Sequence, residues 1–257
     1  MATYYLDQDN PSASDGNAGT SQTAPWLTFA NVENVGSPVV AGDTVQVKKT
    51  ASPYNLGASD DFENPAVQPR NNGSAGNLIT LVKWGDDRPI VQISSGIQGA
   101  IGAGLQVPVK HHIKWSGFEI NMPGVVTKGA TLINCSDCTL HDIVVNGNTF
   151  NTTDNHDAFR IEGTTDCIVQ DCVGQNVRKT GTPWDNSSAF KIYDNIRLLV
   201  EHCRAHNCDS GLYDKAQGST GNIFRRNLVT ECFHGFVVLQ SPWDSPVVYE
   251  NIISSTL

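Results

Sequence analysis

The sequence predicts an all-β chain folded as a right-handed parallel β-helix, and three observations carry that expectation. Residues 113 to 251 repeat one coil of sequence about five times, a second ladder of segments recurs in phase with the first, and the composition is that of a β protein. Charged residues make up 17% of the 257, Gly numbers 23, and no long stretch carries apolar residues at the spacing of a helix face. At this length with 39% hydrophobic residues, a single elongated domain over 1–257 is expected to fill one core.

The first ladder aligns Ile168–Cys172 (IVQDC), Leu199–Cys203 (LVEHC), Ile223–Asn227 (IFRRN) and Val247–Asn251 (VVYEN), with weaker earlier members at Ile113–Phe118 and Cys138–Ile143. The last residues of these segments are 25, 29, 31, 24 and 24 apart. The second ladder is Ala158–Glu162 (AFRIE), Ala189–Tyr193 (AFKIY), Gly211–Lys215 (GLYDK) and Gly235–Leu239 (GFVVL). Short alternating segments at a period in the twenties read as coils that stack at strand spacing, so like residues lie on like. Phe159, Phe190, Leu212 and Phe236 are then expected as an inward apolar stack, Cys172 with Cys203 as buried thiols, and Asn227 with Asn251 as an amide ladder at a bend. Leucine-rich repeats share the period, but their leucine and asparagine pattern is absent.

The ends differ from this middle. Residues 1–50 are expected to cap the solenoid, 51–112 to form the first irregular coils, and 113–257 the regular ones. The run from Thr3 to Thr20, then Ala24–Val32 (APWLTFANV) and Ala41–Val47 (AGDTVQV), resembles the opening of right-handed β-helix proteins related to pectate lyase. That resemblance implies a first strand, a short capping helix and a GDTV strand. The Asp7, Asp9, Asp15, Gly16 and Asn17 loop reads as a turn-rich connection rather than a metal site. The last segment looks like an ordinary coil strand, which leaves a sheet edge and an apolar cross-section to be covered by further chain or by a homo-oligomer.

Charge narrows the partners. The net charge of −9 argues against nucleic acid, and no run of 18 apolar residues offers a membrane span. The N-terminus lacks the basic and then apolar layout of a signal peptide, and the expected setting is extracellular or a phage particle. Seven cysteines leave at least one unpaired, and their repeat phasing suggests buried thiols more than a disulfide framework. The segment 160–226 alone is locally positive, with 9 basic and 8 acidic side chains.

Alternation along the second ladder turns Arg160 and Glu162 outward, and on the next coils Lys191, Tyr193, Tyr213 and Lys215. The next coil has Val237 and Leu239, so this polar patch ends abruptly. It lies beside the two longest insertions, Asn146–Asp157 and Asn176–Ser188, where His156 is a candidate contact, and near Trp184 and Trp243, each in a Pro-Trp-Asp sequence. An exposed Trp is a stacking platform for a pyranose face, although each could equally pin its loop to the helix. A basic face with tyrosines and carboxylates suits β-elimination of a uronic-acid polysaccharide. That reaction needs a base for the C5 proton, a cation on the carboxylate and an acid at the leaving oxygen. Lys215 is the expected base, Tyr213 or Tyr193 the acid, and Arg160 or Lys191 the cation.

Lys215 followed by Asn222–Asn227 (NIFRRN) is similar to the motif of the chondroitinase B and alginate lyase family, a catalytic Lys followed by Asn-x-x-Arg-x-Asn. The resemblance implies Lys215 as catalytic and brings in Arg225. The spacing after Lys215 is longer than the family's, its paired glutamates for Ca²⁺ have only Asp209 and Gly211 near their place, and its second catalytic Arg falls near Val237 or Val238. Asp157, Asp209 and Asp214, with Asp185, are candidate Ca²⁺ ligands by their hard oxygens. Two other readings stay open. One is a glycoside hydrolase pairing Glu162 with Asp185, Asp209 or Asp214. The other is a glycan-binding or tail-spike-like β-helix without catalysis.

Overall fold

The computed structural model describes residues 1–57, 63–94, 99–104, 109–124, 126–150, 155–180, 187–215, 218–239 and 246–254. Among them, three long sheets of nine, eight and six strands run along a parallel β-helix, and every strand pair in them is parallel. The nine-stranded sheet begins at Thr3–Leu6 and ends at Val247–Tyr249, and the eight-stranded one runs from Tyr54–Asn55 to Ile252–Ser254. The six-stranded sheet stacks Ile101–Ala103, Lys128–Ile133, Asp157–Glu162, Ser188–Tyr193, Ser210–Asp214 and His234–Val238 in chain order.

The strands are only two to six residues long, because each coil must bend between sheets, and the bends recur at fixed columns. Asp142, Asp171, His202, Arg226 and Glu250, each just before the last residue of a first-ladder segment, have φ between 52° and 56°. Asp137, Asp166 and Arg197 form a second such column, and Asn134 and Asp194 a third. Asn and Asp tolerate this left-handed region because their short polar side chains bond locally. Where a coil must approach its neighbour most closely only Gly fits: at Gly102, φ 148°, a Cβ would strike the Thr131 backbone.

Like does stack on like. Phe159, Phe190, Leu212 and Phe236 are in register, and the first two rings are parallel at 4.7 Å. All seven cysteines are free and buried, Cys172 and Cys203 one coil apart. Asn227 donates from Nδ2 to Asn251 Oδ1 at 3.0 Å and accepts from the Cys203 N–H at 2.9 Å, so the amide ladder satisfies the backbone where the chain turns. Thr3–Leu6 pairs with Thr44–Lys48, and the helix Ala30–Glu33 packs Val32 into the core. The N-terminal aspartates serve as turn and strand fasteners: Asp15 accepts from the Leu27 and Thr28 N–H groups, and Asp7 pairs with Lys48 at 2.8 Å. On the last described coil Val247, Val248, Tyr249, Ile252 and Ile253 are exposed. No helix among the described residues is long and apolar enough to cross a membrane.

Candidate active site

The outward face of the six-stranded sheet is built from three columns. Its central column is Thr131, Arg160, Lys191, Tyr213 and Val237, flanked on one side by Lys128, Asp157, Ser188, Ser210 and His234. Glu162 and Tyr193 form the other flank, and Lys215 continues it, its N–H bonded to the Ile192 carbonyl at 2.9 Å. Ala158 and Phe159 are both fully buried, which is why Asp157 joins Arg160 on the outward face despite an odd separation of three residues. Sequence alternation thus placed Arg160, Glu162, Lys191, Tyr193, Tyr213 and Lys215 together, and the register brings them together. It missed Lys128, Asp157 as a partner of Arg160, and Ser188. Their only signal was position in a column that starts one residue before the ladder.

Arg160 organises the face. Its Nε donates to Glu162 Oε2 at 2.9 Å and its Nη1 to Asp157 Oδ2 at 3.2 Å, while Nη2 lies 2.7 Å from Glu162. The guanidinium carbon sits 4.1 Å from the Tyr193 ring centre. Burial alone would lower its pKa, but Asp157 and Glu162 hold it above the ordinary arginine value. Ser188 Oγ closes the set by donating to Asp157 Oδ1 at 3.0 Å. Lys191, one coil on, is fully buried with its Nζ 3.5 Å from the Tyr213 ring centre. Burial brings its ammonium down to about 8, Asp157 opposing and the cationic Arg160 and Lys215 reinforcing. Burial also raises the phenols of Tyr193 and Tyr213, for Tyr193 against the pull of Arg160, so both keep their protons. Lys215 is half-buried, 6.0 Å from the Tyr193 ring centre.

Several sequence expectations are corrected. His156 is not exposed as a candidate contact: it is buried, stacked on Phe150 at 3.6 Å, with Nδ1 2.9 Å from the Val126 carbonyl. Arg225 lies on the nine-stranded sheet, not beside Lys215, and pairs with Glu201 at 2.7 Å and the Tyr249 hydroxyl at 2.9 Å. Asn222 and Asn227 accept from the Leu198 and Cys203 N–H groups, so the Asn-x-x-Arg-x-Asn likeness is the bend ladder. Asp214 shares the column of Ile161 and Ile192 and points inward, fully buried, both carboxylate oxygens without a hydrogen-bond partner among the described residues. Burial, with Asp194 adding, pushes it up to about 6.

The Ca²⁺ expectation meets a donor set that does not fit. Asp157 is held by Arg160, Asp209 Oδ2 accepts the Lys179 N–H at 2.9 Å, and Asp214 faces the core. Among the described residues no group of three His, Cys, Asp or Glu is arranged to hold a metal. Trp184, Asp185 and Trp243 lie outside the described residues.

No family model matches the chain. In sequence, an alignment 236 residues long, covering 86% of this chain, is 21% identical to a lacto-N-biosidase of Bifidobacterium longum subsp. longum, of which it covers 13%. Among solved structures, a rhamnogalacturonan lyase superposes with a TM-score of 0.61 at 15% identity, over 100% of this chain and 63% of that one. A lacto-N-biosidase of Eubacterium ramulus superposes with a TM-score of 0.57 at 11% identity, over 99% and 68%. The fold is therefore a right-handed parallel β-helix, shared with these solved structures. The chain spans 13% of the curated relative's length and 63% of the lyase's.

Proposed function

We propose that this chain is a polysaccharide-active β-helix that cleaves a uronic-acid-containing polysaccharide by β-elimination on the outward face of the six-stranded sheet. The observation that carries the reading is Lys191, a buried amine brought down to about 8 beside two tyrosines that keep their protons. An amine unprotonated in part near neutral pH can take the C5 proton, and a phenol can return one to the leaving oxygen. Because Arg160 is already engaged by Asp157 and Glu162, the half-buried Lys215 is the cation that meets the uronate carboxylate. This exchanges the roles that sequence alone suggested for the two lysines. Tyr213, 8% exposed, covers Lys191, so this mechanism requires its ring to turn aside when substrate enters.

Hydrolysis is the second reading, favoured by the sequence likeness to a lacto-N-biosidase. The carboxylates of this face, Asp157 and Glu162, are both committed to Arg160, which weighs against a free acid and base pair. The test is a panel of alginate, pectate, chondroitin, hyaluronan and neutral glycans, read for reducing ends and for ultraviolet absorbance of the unsaturated product. Elimination yields both signals, and Lys191→Ala is expected to lower both by about 100-fold or more. Reducing ends without absorbance would establish hydrolysis, and glycan binding without product would leave a binding module. Unchanged activity in both Lys191→Ala and Lys215→Ala would remove the elimination mechanism.

A further inference from the structure

Far from the polar face along the chain, in the N-terminal cap, a cleft of about 250 Å³ opens between the helix Ala30–Glu33 and the first irregular coil. Its size falls just below the roughly 300–1,000 Å³ of drug-sized ligand sites, room for a single ring and not for a chain. Phe29 and Tyr54 meet edge to face at 5.5 Å in its wall, and the Tyr54 hydroxyl is anchored on the Lys48 carbonyl at 2.8 Å. Gln8 is equally fixed, its Nε2 donating to Thr50 Oγ1 at 2.9 Å and to the Ser52 carbonyl at 2.6 Å. The wall is therefore preformed. Leu56 and Ala66 supply a half-buried apolar side, and the amides of Asn34 and Asn55 stand exposed at the rim.

Glu33 is the unusual group. It lines this cleft, no ion pair with it is found among the described residues, and burial alone pushes its carboxyl up to about 7. A carboxyl half withdrawn from water without a cation costs more to ionise than an exposed one, and a cation arriving with a ligand would relieve that cost.

The geometry points to a second ligand site that takes a monomeric amino sugar with a free amine, its ammonium on Glu33, its hydroxyls on Asn34 and Asn55, and its apolar ring face on Leu56 and Ala66. The site is separate from the polar face, and its occupancy does not depend on which reaction that face performs. The test is isothermal titration of the full chain with glucosamine, N-acetylglucosamine and cyclohexylamine, repeated on Glu33→Gln and on Leu56→Trp, which fills the cleft. Glucosamine is expected to bind with one-to-one stoichiometry, at least about tenfold more tightly than either other probe, and that preference should vanish in Glu33→Gln. Leu56→Trp, with its melting temperature retained, should bind none of the three. Equal binding of N-acetylglucosamine would show that the amine is not read, equal binding of cyclohexylamine that the sugar is not, and no heat with any probe that the cleft is not a site. Each of those results overturns the proposal.

Discussion

Two ionisable side chains on adjacent coils are buried at a cost, and both costs depend on pH. Lys191 titrates at about 8 against an ordinary 10.5, so between those values the unfolded chain binds more protons and stability rises with pH. Below about 8 its burial penalty is fully present. Lys191→Met is therefore expected to raise the melting temperature at pH 7 while abolishing cleavage, and the stabilisation should shrink in melts recorded toward pH 10. Asp214 has the opposite sign of titration. Its native value of about 6 lies above the ordinary 3.8, so the native chain binds the extra proton and stability falls as pH rises through that window. Asp214→Val continues the Ile161 and Ile192 column and is expected to stabilise the fold at pH 7 by about 1–3 kcal/mol, read from urea denaturation, with little gain at pH 3. At this scale the sequence was informative about direction and silent about cost. Alternation turned Lys191 and Lys215 to one face, but which of the two is sealed from water depends on the Tyr213 ring stacked from the next coil.

At the scale of the coil, the bends explain why a catalytic motif can be imitated. Asn227 satisfies the Cys203 N–H and the Val200 carbonyl at once, so an Asn recurs at this column for reasons of hydrogen bonding alone. Asn227→Leu would orphan both backbone groups, each worth about 1–3 kcal/mol, and a drop of that size in denaturant melts with unchanged coil spectra is the expected outcome. The Phe stack is the apolar counterpart. Phe190 is fully buried between Phe159 and Leu212, and Phe190→Ala is expected to cost about 3–5 kcal/mol. The sheets also separate residues that are close in sequence. Arg225 lies only ten positions after Lys215, yet the intervening bend carries it to another sheet and onto Glu201. Segment spacing revealed the ladders and not the sheet to which each ladder belongs.

For the molecule as a whole, the solenoid buries each coil only by stacking the next, and apolar side chains of the last described coil are exposed. Val248 is 47% and Ile253 51% exposed, side chains whose equivalents Val200 and Val229 are core. Exposed apolar side chains on a sheet edge favour association. Replacing both residues by Lys is expected to reduce concentration-dependent light scattering with no change in melting temperature, whereas a falling melting temperature would show that the end coil is itself part of the cooperative core.

The β-helix, its register and the six outward side chains of the polar face were legible in the chain alone, because a parallel solenoid repeats its coil and stacks each residue on its counterpart. The hold of Asp157 and Glu162 on Arg160, the sealing of Lys191 under Tyr213, and the departure of Asp214, His156 and Arg225 from the site emerged from the packed coils. Those outcomes depend on distance and burial between side chains of different coils, which a one-dimensional repeat orders but does not measure.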